Sequence, residues 1–99
     1  MVTEMAEIHV SPGQEESFIK AYREARELVA VSPGLRGMRM TQSVESPTRF
    51  MLVIEWDSVE AHEKGFRDTD RFPKWREALG PFFSRPPNVE HFDSVEEES

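Results

Sequence analysis

The sequence predicts an α+β fold: one four-stranded antiparallel sheet with its helices on one face. Three observations carry that expectation. Phe50 to Ile54 is the most apolar run, and Phe50, Leu52, Ile54 and Trp56 alternate there with Met51 and Val53, so both sides of a strand are apolar. Two other segments, Glu15 to Val29 and Val59 to Leu79, place their apolar residues at helical spacing instead. Clusters of serine, proline and glycine separate these segments, notably Ser11-Pro12-Gly13, Ser32-Pro33-Gly34 and Gly80-Pro81.

Met5 to Val10 alternates, with Ala6, Ile8 and Val10 on one side and Met5, Glu7 and His9 on the other, and reads as the first strand. Ser11 is the expected cap of the helix that follows, with Pro12 in its first position and Gln14 completing a capping box. Phe18, Ala21, Tyr22, Ala25, Leu28 and Val29 form the inward face of that helix, about five turns long. Ser32-Pro33-Gly34 ends it. Leu35 to Val44 is a second strand of mixed character, and the turn Glu45 to Thr48 joins it in a hairpin to the strand Arg49 to Trp56. Asp57 and Ser58 are alternative caps for the next helix, Asp57 pairing with Glu60 in a capping box and Val59, His62 and Phe66 facing inward. Gly65 and Asp68-Thr69-Asp70 interrupt it. A second piece carries Phe72, Trp75, Arg76 and Leu79, with Pro73 tolerated in its first turn. After Phe82, Phe83 and the loop Ser84 to Asn88, Val89 to Val95 is the last strand.

Composition bounds the function. The 99 residues make one domain, expected from Thr3 to Val95, and a net charge of −7 with scattered basic residues argues against a nucleic-acid partner. The absence of cysteine excludes disulfides and thiolate chemistry. No window has the apolar length of a membrane span and no signal peptide is visible, so a soluble cytoplasmic protein is expected. Residues 96–99 read as an acidic, disordered tail.

Strand, helix, strand, strand, helix, strand is the ferredoxin-like order of two split βαβ units. Right-handed crossovers put both helices on one face and leave the other bare. Met51 and Val53 lie on that bare face with Met5 and either Met38 or Met40, and the expected cover is the same face of a second copy.

The segments V-S-P-G at Val10, S-P-G-L-R-G at Ser32, I-E-W-D-S-V-E-A-H at Ile54 and R-F-P-K-W at Arg71 resemble the antibiotic biosynthesis monooxygenase-like family of dimeric α/β barrel proteins. The resemblance covers Thr3 to Val95. It implies a homodimer and a cofactor-independent monooxygenase acting on a small planar aromatic such as a phenol, hydroquinone or polyketide. A non-catalytic or accessory domain binding a hydrophobic metabolite is the alternative. Haem-degrading relatives use an asparagine, a tryptophan and a histidine ligand; the corresponding positions, about Ala6, Phe66 and Trp75 or Arg76, carry none of these.

His62 is the leading catalytic candidate, a general base on a phenolic or enolic substrate, although a packed histidine bonded to a carbonyl would look the same in sequence. Phe66, Phe72, Trp75 and Phe82, with Phe83 and Trp56, could wall a flat apolar slot, or simply be core. Arg76 could meet a substrate carboxylate or phenolate, or a salt bridge with Glu77 or Asp68. His91 faces either the slot or the dimer interface, and His9 the interface. The three histidines show no metal-ligand spacing, so no metal is expected, and that no cofactor is used is what the resemblance implies.

Overall fold

The computed structural model describes residues 1–96; the last three residues of the expected acidic tail lie outside that range. Four strands, β1 (Val2–His9), β2 (Leu35–Gln42), β3 (Arg49–Trp56) and β4 (Asn88–Phe92), form one antiparallel sheet in the order β2-β3-β1-β4. Helices α1 (Glu15–Ala25), α2 (Glu27–Ala30), α3 (Val59–His62) and α4 (Arg71–Leu79) complete the fold, with a π-helical turn at Glu63–Arg67 and a 3-10 turn at Gly80–Phe82. The βαββαβ order is the predicted one, and the sheet is open. No helix among the described residues is long and apolar enough to cross a membrane.

β3 occupies the predicted residues, and its alternation organises the core. Phe50, Leu52, Ile54 and Trp56 are buried under the helices with Ala6 and Ile8 of β1, Phe18, Tyr22 and Ala25 of α1, Val29 of α2 and Leu79 of α4. Met51 and Val53 turn to the other side, where register pairs them with Glu7 and Met5.

Several boundaries differ from the sequence reading, each for a local reason. β1 begins at Val2, because Val2, Thr3 and Glu4 pair with Trp56, Glu55 and Ile54, and the Thr3 hydroxyl donates to both Glu55 oxygens at 3.0 and 2.8 Å. Ser11 is not the helix cap: Gly13 takes φ 88°, which no helix accepts, so α1 starts after Gln14, and Ser11 contributes only its carbonyl to the Gln14 N–H at 3.0 Å. The long helix divides at Arg26, although the Arg26 N–H still donates to Tyr22 O at 2.9 Å.

β2 carries a bulge between Leu35 and Gly37 that changes its phase. Leu35, Met38 and Met40 consequently share the helix-covered side, Met38 opposite Ile54 and Met40 opposite Leu52, and neither methionine joins the bare face. β2 stops at Gln42 and β4 at Phe92, leaving Val44 and Val95 exposed.

Ser58, not Asp57, caps α3: its Oγ accepts the Ala61 N–H at 3.0 Å, while the Asp57 carboxylate takes two bonds from Arg36 at 2.6 and 3.1 Å. Val59, expected inward, is 37% exposed; three residues before His62, it lies at the edge of the inward face. The turn Ser32-Pro33-Gly34 packs against α3 and the π turn. Gly34 has φ 85°, a Cβ there would lie 2.9 Å from Ala61 Cβ, and a Cβ on Gly65 would lie 3.2 Å from Pro33 O. Both glycines therefore set how closely the segment bearing His62 approaches the sheet.

Candidate functional site

An open cleft of about 1130 Å³ lies between the helices and the β1 end of the sheet. Its floor is Glu4, Ala6 and Ile8 of β1 with Leu52 and Ile54 of β3. Phe66, Phe72 and Trp75 supply aromatic wall, and the loop from Phe83 to Asn88 closes one side. Phe66 meets Phe72 and Trp75 edge to face at centroid distances of 5.5 and 6.3 Å, so the wall is a locked aromatic cluster. The π turn places Phe66 and Arg67 side by side at the cleft.

Glu4 is the polar residue at the back of this apolar floor and is only 6% exposed. Trp56 Nε1 donates to Glu4 Oε1 at 2.9 Å, and His62 Nε2 lies 3.4 Å from the same oxygen. His62, 3% exposed, stacks on the Trp56 indole with centroids 4.9 Å apart and planes 16° from parallel. Its Nδ1 is 2.7 Å from His91 Nε2, a distance at which the two rings share a proton. Register explains the assembly: Glu4 and His91 are direct cross-strand partners on β1 and β4, and α3 lowers His62 onto the pair.

Electrostatics keep the His62 ring neutral near neutral pH. Burial first, then the charges of His91 and Arg67, bring the His62 pKa down from 6.5 to about 4. Burial raises the Glu4 carboxyl above its ordinary 4.5, opposed by the Trp56 hydrogen bond and by Arg67. The Glu4–His62 contact is therefore a polar contact of a neutral imidazole near neutral pH, not an ion pair.

The cleft gathers Phe66, Phe72, Trp75 and Arg76 as the sequence predicts, and His62 lines it as well. His91 stands behind His62 on the helix side, which settles its direction; His9 is on the bare face, 3.6 Å from Glu7 Oε1. Phe82 is not in the lining. It packs on Phe18 at 6.1 Å, and Phe83, one residue beyond the 3-10 turn, takes the place at the cleft. Arg76 makes no salt bridge among the described residues and stacks over Phe72 at 5.8 Å. Sequence reasoning missed Glu4, Arg67 and Arg85, all of which line the cleft. For Glu4 the signal was present: the alternation Ala6, Ile8 continues backward through Glu4, an acid on an otherwise apolar face.

No group of three or more candidate ligands among the described residues is arranged to hold a metal ion. Nitrogens 2.7 Å apart are too close to flank an ion sitting roughly 2.0–2.1 Å from each in tetrahedral geometry.

Comparison with known proteins bears on this geometry. The family model described as antibiotic biosynthesis monooxygenase matches residues 1–78. The uncharacterized protein YczJ of Bacillus subtilis is 32% identical over 95 residues, 96% of this chain and 100% of that protein. A 42.8 kDa protein in the whiE locus of Streptomyces coelicolor is 30% identical over 89 residues, 90% of this chain but 17% of that longer protein. A crystal structure of a proposed antibiotic biosynthesis monooxygenase from Bordetella bronchiseptica superimposes with a TM-score of 0.90 at 36% identity, covering 96% of this chain and 97% of that one.

Proposed function

Because the chain belongs to the antibiotic biosynthesis monooxygenase family, we propose that it is a cofactor-independent monooxygenase of a small planar aromatic: a phenol, hydroquinone or polyketide. One observation carries the reading. An aromatic-walled cleft ends on an acid–base group in which Glu4 and His62 are buried and His91, partly buried, stands behind His62.

The chemistry asked of the protein is modest. A ring hydroxyl or enol held on the cleft floor loses its proton to this group, in which His62 takes part, and the resulting electron-rich anion reduces oxygen. The substrate is the reductant: in a phenol or enol whose keto tautomer carries a ring methylene, that CH2 and O2 become a ring carbonyl and water, and a hydroquinone gives up two hydrogens to O2 to leave the quinone and hydrogen peroxide, in neither case with an external electron donor. The cleft supplies orientation. Phe66, Phe72 and Trp75 suit a flat ring. Arg67, Arg76 and Arg85 line the same cleft without acidic partners among the described residues, which favours a ring bearing oxyanion substituents.

The same reading makes the protein a homodimer. The bare sheet face presents Met5, Met51 and Val53, flanked by Phe92 at 46% exposure, and a second copy of that face is the proposed cover. Sedimentation at micromolar concentration should give twice the chain mass; a monomer would exclude this arrangement.

Oxygen uptake tests the activity. With a panel of hydroquinones and polyketide phenols the wild-type protein should consume oxygen in a substrate-dependent way, and His62→Ala, which loosens the acid–base group at the end of the cleft, should lower the rate by about 10²-fold. Uptake with none of the compounds, while they still bind, would assign the fold to an accessory binding role instead.

A further inference from the structure

His62 is poorly placed to touch a substrate. Nδ1 is taken by His91 and Nε2 lies 3.4 Å from Glu4 Oε1, while one face of the ring lies against Trp56. Glu4 is placed differently. Both of its contacts, from Trp56 and from His62, fall on Oε1. No described hydrogen bond occupies Oε2, yet no fully buried side-chain oxygen or nitrogen among the described residues lacks a partner. Oε2 is therefore not sealed, and Glu4 lines the cleft.

We infer that Glu4 is the catalytic base, accepting the substrate's hydroxyl proton on Oε2, and that His62 and His91 are positioning residues behind it. The inference rests on the aromatic-binding reading above and names the atom that meets the ring. In the step, the substrate O–H bond breaks, an Oε2–H bond forms, and the electron pair stays on the substrate oxygen. Nothing is oxidised until oxygen enters. Trp56 from β3, His62 from α3, Arg67 from the π turn and the cross-strand His91 from β4 are the groups facing Glu4, with Arg76 and Arg85 elsewhere on the cleft lining. The Trp56 hydrogen bond holds Oε1, with His62 Nε2 close beside it, and leaves the other oxygen to the ligand. Burial raises the carboxyl's proton affinity, which brings a weak base closer to the range where proton transfer at neutral pH is effective.

The test compares 2-naphthol with 2-methoxynaphthalene, the same ring without the hydroxyl proton, by fluorescence titration of the full chain across pH. Wild type should bind the naphthol about tenfold or more tightly than the ether once Glu4 is ionised. That preference should rise with pH through the Glu4 ionisation. Glu4→Gln, which keeps an acceptor for Trp56, should bind both compounds within about twofold of each other at every pH. Glu4→Asp, which keeps the charge but withdraws it by one carbon, should retain a reduced preference and serves if the glutamine variant does not fold. His62→Gln should keep the preference and move its midpoint in pH, a displacement that a purely structural role would not produce. Equal binding of the two compounds by wild type, or a preference that survives Glu4→Gln and vanishes in His62→Gln, overturns the assignment and leaves the aromatic slot standing. Binding of neither compound overturns the slot and the assignment together.

Discussion

Burial of a neutral imidazole leaves a thermodynamic signature, and His62 offers a clean place to read it. In the unfolded chain its pKa is the ordinary 6.5; in the native cleft it is about 4. Between those values the unfolded chain binds a proton that the native protein refuses, so stability falls as pH falls through the window and levels off below it. The gap corresponds to about 3 kcal/mol. Glu4 acts in the opposite sense. Its native pKa is raised, so the native state binds its proton first, and the stability this lends is present at low pH and lost as pH rises through the native value. The two slopes oppose one another in wild type. Glu4→Gln removes one of them, and comparing that variant with Glu4→Gln/His62→Gln isolates the other. Glu7 and Asp57, whose pKa values are lowered by Arg49 and Arg36, contribute equally to both chains and cancel in the difference. Urea unfolding at a series of pH values is the assay. The stability advantage of the chain that keeps His62 should shrink by about 2–3 kcal/mol as pH falls from about 7 to about 4. A difference that stays constant within about 0.5 kcal/mol, the ordinary additivity error, would refute the account of His62 as a buried neutral ring.

Two further substitutions probe how the site is held. Gly34→Ala meets both a positive φ of 85° and a Cβ contact of 2.9 Å with Ala61, so a loss of about 1–3 kcal/mol is expected in urea unfolding, with a changed His62 imidazole NMR signal as α3 is pushed outward. Arg71 donates to Leu28 O at 2.6 Å, Ser32 Oγ at 2.8 Å and Gly65 O at 2.5 Å, tying α2, the β2 entry turn and the π turn together. Arg71→Met should cost about 2–3 kcal/mol and show as a lower urea midpoint at unchanged slope.

What could be read in advance follows from the range over which each signal acts. β3 was legible to the residue because its alternation is strictly local and both of its faces are apolar. Ser58 and Asp57 compete as caps on sequence grounds, and Arg36, 21 residues upstream, decides between them by taking Asp57. The β2 bulge inverts the side taken by Met38 and Met40, and nothing in the local pattern marks it. His62, Phe66 and Trp75 were visible as an aromatic face with a histidine. Glu4 was marked only by its place in the alternation, and an acid in a short alternating run looks like the end of a strand until Trp56, 52 residues away, is seen bonded to it. His91 was ambiguous for the same reason: strand register with β1 determines its side, and register is a property of the assembled sheet.

The central claim is that a flat aromatic sits against Phe66 and Trp75 with its polar edge on Glu4. The two tryptophans report on it directly, since Trp56 is bonded to Glu4 and Trp75 lines the cleft. In a ¹⁵N-labelled sample titrated with 2-naphthol, both indole N–H signals and the Phe66 and Arg67 amides should shift together and saturate, while Arg39 and Val53 on the bare sheet face stay still. Shifts confined to the bare face, or saturating shifts that leave the Trp56 indole unmoved, would contradict it.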